Sequence, residues 1–300
     1  MNPTLNQARK RRAFTIVELL TVMSIIVILI GLLVPALNKA RRYALYVKQK
    51  AQLRSMDAAI ELFNNENGGY PDSGALDPMG LAYCGAMKLC EALMGQDRQG
   101  FHANSLFRRD GLDASGVLLY PPNIDAMAPG IRSQNLSARK GPYLPAENTS
   151  ASRMRDIYGT NLGQFLGMSF VLCDVYERPM NSGQKTGMPI LYYKADTANN
   201  LHDPNLVGGM SASDNRGNIY NYYDNLALMN LGKPWQPAGS STATHRLADP
   251  LRFYRNTRSD KITTAQRPFR PDEYILISAG WDNEYGTADD IYNFDWRYRE

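Results

Sequence analysis

The residues best placed for chemistry lie near the two ends of this chain. Near the N-terminus, Glu18 is the one charge in the apolar run AFTIVELLTVMSIIVILIGLLVPAL, Ala13 to Leu37. A carboxylate at the centre of an apolar span costs ~2.5–3.5 kcal/mol and usually has a function. The small residue Ala13 joins the basic cluster Arg9-Lys10-Arg11-Arg12 to Phe14, a junction at which a peptidase could cut. Pro35 removes one backbone hydrogen bond and crowds the carbonyl of Gly31, which makes it a place to bend or locally melt a helix. Near the C-terminus, Asp282, Glu284, Asp289 and Asp290 crowd a glycine-containing loop with Gly280 and Gly286. Acids this close repel one another unless a cation joins them. Ca²⁺ takes roughly six to eight oxygens from carboxylates and backbone carbonyls and favours such loops. The plain alternative is a solvated acidic loop without metal.

The elements that position these groups follow from periodicity. From Phe14 the apolar run is about 24 residues, or ~36 Å of helix, enough to cross a bilayer core with some tilt. The basic cluster before it predicts a cytoplasmic N-terminus and an exterior C-terminal bulk. Residues 38–66 continue the helix, with Leu53, Met56, Ile60 and Phe63 on one face as a core contact. Asn67-Gly68-Gly69 then ends it through left-handed positions, with Pro71 beyond. Residues 72–165 read as a large loop-rich insertion decorating a globular head, with a short helix from Leu81 to Met94 and a strand or turn at Gly116–Pro122. The runs Phe170–Pro179 and Met188–Tyr193 predict a hairpin or strand pair. Residues 194–267 are expected to be mostly loops, with one helix around Tyr220–Leu231. Tyr274–Ser278 reads as a buried strand that leads into the acidic loop.

Composition narrows the function. The leader carries Arg9, Lys10, Arg11 and Arg12, so its removal brings the formal charge from +4 to zero. The basic balance therefore reports the leader, and no nucleic-acid partner is expected. Cys84, Cys90 and Cys173 allow one disulfide, with Cys84 and Cys90 closing a short loop, or buried free thiols; no metal spacing is present. His102, His202 and His245 lie in polar or glycine-rich surroundings without a nucleophile motif, and no GxSxG, HExxH or P-loop occurs, so no enzyme is expected.

Arg12-Ala13-Phe14-Thr15-Ile16-Val17-Glu18 resembles the processing site of type IV pilins and type II secretion pseudopilins. The resemblance implies removal of leader 1–13 by prepilin peptidase between Ala13 and Phe14, and N-methylation of Phe14. It also implies pairing of Glu18 with the freed amine of a neighbouring subunit, and matches Pro35 to the proline near the end of the family's apolar helix. The stretch Lys50-Ala51, Ala59-Ile60, Phe63 and Asn67-Gly68-Gly69-Tyr70-Pro71 is similar to the segment after the membrane helix in the major pseudopilin. Asp174, Pro179 and Tyr192 resemble its strand region, with Tyr176 in place of the usual Trp. The C-terminal stretch resembles its calcium loop, so Ser278, Asp282, Asp289 and Asp290 carry over as candidate Ca²⁺ ligands, with Asn283 where the family prefers Gly.

The expected fold is α+β and pilin-like: a long N-terminal transmembrane and spine helix packed on a small antiparallel β-sheet head with a large loop-rich insertion. Its parts are the leader 1–13, the transmembrane and filament-core helix 14–37, the helix continuation and turn 38–71, and the head 72–300 with the calcium loop in 274–294. The resemblance implies a single-pass inner-membrane protein with a periplasmic C-terminal domain. It would assemble with itself and other pseudopilins, through an inner-membrane assembly platform, into a type II secretion pseudopilus. A type IV pilus or DNA-uptake pilin is the neighbouring reading. A membrane-anchored exterior enzyme, or a binding protein using Tyr220, Tyr222 and Tyr223, is the alternative from another class.

Overall fold

The computed structural model describes residues 15–145, 149–180, 182–235, 245–262 and 265–298. Contacts divide the chain into two compact units, residues 1–45 and 46–300. Helix α1, Ile16–Asn67, supplies the described structure of the first unit except Thr15, and continues from Tyr46 as the opening element of the second.

In the first unit the helix carries its apolar residues outward. Ile16 is 82% exposed and Leu32 70% exposed, and no residue from Ile16 to Leu37 is buried. The helix is unbroken through Pro35, so of the two alternatives there, a bend or a locally melted turn, the melted turn does not form. A side chain added at Gly31, one turn before Pro35, would meet open space. The hydroxyls of Thr21 and Ser24 donate to the carbonyls of Glu18 (3.0 Å) and Leu20 (2.8 Å), so neither polar group interrupts the apolar surface.

In the second unit the stripe Leu53, Met56, Ile60 and Phe63 is buried as its spacing predicts, together with Gln49 and Ala59. Each large apolar side chain contributes ~1.5–3 kcal/mol on burial. Polar contacts then set the helix against particular strands. Gln49 Oε1 accepts from Val175 N (2.9 Å), Gln52 Nε2 donates to the carbonyl of Cys173 (2.9 Å), and Lys50 Nζ donates to that of Tyr292 (2.8 Å). Asp57 Oδ1 accepts from Tyr274 OH (2.9 Å) and Asn293 Nδ2 (3.0 Å). Gly68, at φ +75°, ends the helix in the left-handed conformation its sequence calls for.

The remaining elements are short: helices α2 Gly85–Met94, α3 Pro129–Ser137, α4 Met154–Tyr158, α5 Leu226–Met229 and α6 Pro250–Thr257. The strands are β1 Phe101–His102, β2 Arg139–Lys140, β3 Ala151–Arg153, β4 Phe170–Leu172, β5 Arg178–Pro179, β6 Lys185–Thr186, β7 Leu191–Lys194, β8 Tyr274–Ser278 and β9 Ile291–Tyr292. All described pairings between them are antiparallel: β1–β2, β3–β4, β5–β6, and a three-stranded sheet in the order β7-β8-β9. In that sheet Leu191 faces Ile277, Tyr193 faces Ile275 and Ser278 faces Ile291. Every residue of β8 is buried, so the strand is covered on both faces and shows no inside–outside alternation. The architecture is the expected α+β, pilin-like layout of a long N-terminal helix with small antiparallel sheets and loops.

Four local expectations change. Helix α2 starts at Gly85 rather than Leu81, because Leu76 and Ala82 form a bridge and Cys84 is extended. All ten of its residues are buried and it packs on β4 and β7, so this part of 72–165 is core rather than decoration. Its N-cap Cys84 offers no side-chain bond; Asn225 instead accepts from Ala86 N (2.9 Å) and donates to the carbonyl of Tyr192 (2.7 Å). The runs Phe170–Pro179 and Met188–Tyr193 do not form one hairpin. They meet at a single bridge, Cys173 with Pro189, while β4 pairs with β3 and β7 with β8. Tyr220–Leu231 holds a 3₁₀ turn, Tyr222–Asn225, followed by α5. The cysteines take the free-thiol alternative: all three are buried and unbridged, and burial raises each thiol, Cys84 to about 11 and Cys173 to about 12.

Buried histidine makes this core sensitive to acid. His202 lies with Nε2 2.9 Å from the carbonyl of Tyr254, and burial lowers its pKa to about 4. Between the unfolded value near ~6.5 and the folded value, the unfolded chain binds a proton that the folded chain does not, so stability falls as pH falls through this window. His202→Gln is expected to improve relative to wild type by ~2 kcal/mol on going from pH 7.5 to pH 5. Urea unfolding of both proteins at the two pH values checks this; a difference that does not change with pH would refute the assignment.

Candidate functional site

Two places gather the chemically active residues. At the N-terminal end of α1, Glu18 lies in the first turn. Its Oε2 accepts from Thr15 N (2.9 Å) and Thr15 Oγ1 (2.8 Å), and Thr15 Oγ1 accepts from Glu18 N (3.2 Å). This is a capping box, in which threonine and the glutamate three residues later satisfy each other's backbone donors. The carboxylate also meets the positive end of the helix dipole. Thr15 was not singled out by the charge pattern, although Thr15-Ile16-Val17-Glu18 ahead of an apolar run carries the signal. Ala13 and Phe14, the expected processing pair, lie outside the described residues.

The second place is the loop between β8 and β9. It is shaped by three left-handed positions, Gly280 (φ +68°), Asn283 (φ +56°) and Gly286 (φ +93°). A Cβ on Gly280 would collide with the main chain of Asp289, so only glycine allows the loop to close there. Asn283 adopts the conformation that glycine would, as asparagine can. It is buried and donates through Nδ2 to the carbonyl of Tyr176 (3.1 Å).

The expected ligands divide within this loop. Asp282 and Asp289 come together: Asp289 Oδ2 accepts from Asp282 N (2.9 Å), and Asp289 Oδ1 accepts from Thr287 Oγ1 (2.6 Å). Burial raises Asp282 to about 6, and the neighbouring Asp289 adds to the rise. Asp290 is buried with Oδ2 accepting from Gly286 N (2.8 Å) and Tyr292 OH (3.1 Å), while Oδ1 has no partner. Ser278 is directed elsewhere; its hydroxyl donates to Asp174 Oδ2 (3.0 Å). Glu284 leaves the acidic group to pair with Lys233 (2.6 Å) and Arg246 (3.2 Å). Among the described residues no three His, Cys, Asp or Glu side chains are arranged to hold a metal ion. The donor set therefore fits a hard cation in part, through Asp282 and Asp289, with Ser278 already committed to another carboxylate.

Asp174 is the residue whose weight the sequence understated. It is fully buried at the junction of three segments, with Oδ1 accepting from Tyr176 N (3.2 Å) and Met188 N (3.1 Å) and Oδ2 from Ser278. Gly187 lacks a side chain where Asp174 leaves no room for one. The three histidines are separate and buried: His102 Nδ1 accepts from Asn104 N (3.2 Å) and His245 Nδ1 from Tyr285 N (3.3 Å). Of the three tyrosines, open between binding contacts and partial core, Tyr220 and Tyr222 are core residues and Tyr223 is half-buried.

Residues 8–34 match the family model described as the prokaryotic N-terminal methylation motif. Comparison with curated proteins and with solved structures gave no match. The motif supports the type IV pilin superfamily and indicates a type IV pilin-like subunit processed by prepilin peptidase. Together with the apolar helix, it is consistent with a membrane-anchored protein.

Loss of an N-cap typically costs ~1 kcal/mol. Thr15→Ala should therefore speed amide hydrogen exchange in the first turn of α1 about fivefold in detergent micelles, with amides beyond Tyr46 unchanged. Unchanged first-turn exchange would show that the capping box does not hold the helix start.

Proposed function

We propose that this chain is a structural subunit of a type II secretion pseudopilus, processed by prepilin peptidase and assembled into a periplasmic filament that drives protein export. The observation that carries the reading is the methylation motif joined to a helix whose apolar surface, residues 16–37, has no buried position. Lipid covers that surface before assembly, and neighbouring subunit helices cover it afterwards. The C-terminal domain faces the periplasm, since Arg9–Arg12 retain the leader on the cytoplasmic side. Other pseudopilins and an inner-membrane assembly platform are the partners this reading requires.

In this mechanism Glu18 does two jobs at different times. Its carboxylate caps the helix start through Thr15, as described above. On assembly it meets the methylated amine of Phe14 on a neighbour, and pairing the two charges removes the cost of carrying a lone carboxylate into packed apolar helices. A buried polar pair of this kind sets register in a helical bundle. The Asn67–Pro71 turn and the 278–290 loop favour the secretion machine over a pilus, since both resemble the major pseudopilin.

The mature protein is expected to begin with N-methylated Phe14 by mass spectrometry, and Ala13 replaced by a bulky residue should keep the leader. Glu18→Ala should retain the folded head while filaments are lost. Deletion that abolishes export and leaves surface fibres intact supports the pseudopilus; lost fibres with export intact would make the chain a pilus subunit.

Calcium enters the same proposal at Asp282 and Asp289, whose neighbouring carboxylates would be neutralised by Ca²⁺ together with backbone carbonyls of the loop. The ion would supply charge neutralisation and loop closure, coupling the stability of the head to external Ca²⁺. A 38–300 fragment retains the described core, and its melting temperature should rise by several degrees with millimolar Ca²⁺. Asp282→Asn with Asp289→Asn should abolish that rise. Equal melting of wild type in Ca²⁺ and in chelator would end the metal assignment.

A further inference from the structure

The 72–165 region borders a cavity of about 300 Å³ that the filament reading does not use. It lies between the turn that follows α2, Arg109, and the β3–β4 pair. Three guanidinium groups line it. Arg98 and Arg153 both approach the Phe170 ring, with Cζ 4.9 Å and 5.3 Å from its centroid. Arg109 uses one N–H on the carbonyl of Gln164 (3.1 Å). Among the described residues, none of these three arginines has a carboxylate at ion-pair distance.

The carboxylates that do line the cavity are already committed. Asp97 accepts from Arg139 Nη1 through both oxygens, each at 2.6 Å. Glu91 is buried beneath bonds from Tyr83 OH (2.7 Å), Gln96 Nε2 (3.0 Å) and Ser105 Oγ (2.5 Å). Burial also favours its neutral form. The lining therefore presents three guanidinium groups, Arg98 exposed and Arg109 and Arg153 half-buried, none ion-paired among the described residues, beside apolar surface from Phe170, Met168 and Pro121. Arg98 is further held at φ +66°, a left-handed position that glycine or asparagine would occupy at less cost.

We propose that this cavity is a binding site for a carboxylate carried on an apolar or aromatic body, with the charge held by Arg98, Arg109 and Arg153 and the body against Phe170 and Met168. Guanidinium forks match carboxylate oxygens in a planar, two-bond geometry, and Phe170, on whose ring two of the guanidiniums stack, joins Met168 and Pro121 in the apolar wall that takes the body. The volume lies at the lower end of small-ligand pockets, enough for one such group. The carboxylate belongs either to a free organic acid or to an acidic side chain of a peptide. The site stands independently of the filament reading, because none of its residues lies in the processed N-terminal helix.

The test is calorimetric titration of the full chain in detergent micelles with 3-phenylpropanoate, its neutral amide, and the blocked dipeptide N-acetyl-Phe-Glu-amide. The acid is expected to bind and the amide not, with binding weakened by added salt. Arg98→Gln and Arg153→Gln should each weaken it about tenfold, in line with the loss of a charge-assisted bond. Arg153→Lys serves where Arg153→Gln lowers the melting temperature, and it should bind more weakly than wild type but more tightly than the glutamine variant. Binding of the dipeptide alone, with the same sensitivity to the arginines, assigns the site to acidic peptide segments. Amide binding equal to the acid, no binding of acid or dipeptide, or unchanged affinity in the arginine variants would overturn the proposal.

Discussion

Among the described residues nothing buries the apolar surface of α1 between Ile16 and Leu37, and that is the strongest physical constraint on the protein. At ~25 cal/mol per Å² of apolar area, a helix exposed in this way is costly in water and stable only against lipid or against other helices. Its internal chemistry suits both settings. Thr21 and Ser24 satisfy their hydroxyls on the helix's own carbonyls, and Thr15 with Glu18 satisfies donors at its start. The one ionisable group within Ile16–Leu37 thus stands where a backbone end already favours negative charge.

From Tyr46 the same helix changes character. From Leu53 on its large apolar residues other than Leu62 gather in one buried stripe, and Gln49, Gln52 and Asp57 make specific bonds to segments far away in sequence. The domain built on that stripe has few long strands and relies on side-chain bonds to join short ones. Asp174 is the clearest case, tying the end of β4 to Met188 and to β8. Two buried tyrosines act in the same way: Tyr192 OH donates to the carbonyl of Pro71 (2.8 Å) and Tyr254 OH to that of Tyr220 (3.0 Å). Each phenol fills core volume and also satisfies a loop carbonyl that has no strand partner. This explains how a sequence rich in Asn, Gly and Tyr folds into a packed domain.

Local patterns made the long elements legible. The α1 stripe, the glycine that ends the helix at Gly68 and the strand Tyr274–Ser278 all formed where period and turn chemistry placed them. Short elements were less readable, because a run of three or four apolar residues does not name its partner. Phe170–Leu172 pairs with Ala151–Arg153, a segment with no strand signature of its own. Leu81–Cys84 has helical composition, yet its backbone is taken by a bridge to Leu76. The acidic loop shows the same limit: its acids are visible in order, but Glu284 is drawn off by Lys233 and Arg246, which are remote in sequence.

The sequence by itself therefore determined the N-terminal processing motif, the long helix with the single carboxylate of its apolar run, its termination and the buried strand Tyr274–Ser278. These depend on neighbours within a few residues, where helix geometry and turn preferences act directly. Only the tertiary structure decided that Asp174 joins three segments, that Ser278 serves it, that α2 lies in the core, and that Arg98 and Arg153 share one phenyl ring. Each of those is a meeting of residues far apart in the chain, set by which surfaces bury together, and no local spacing encodes it.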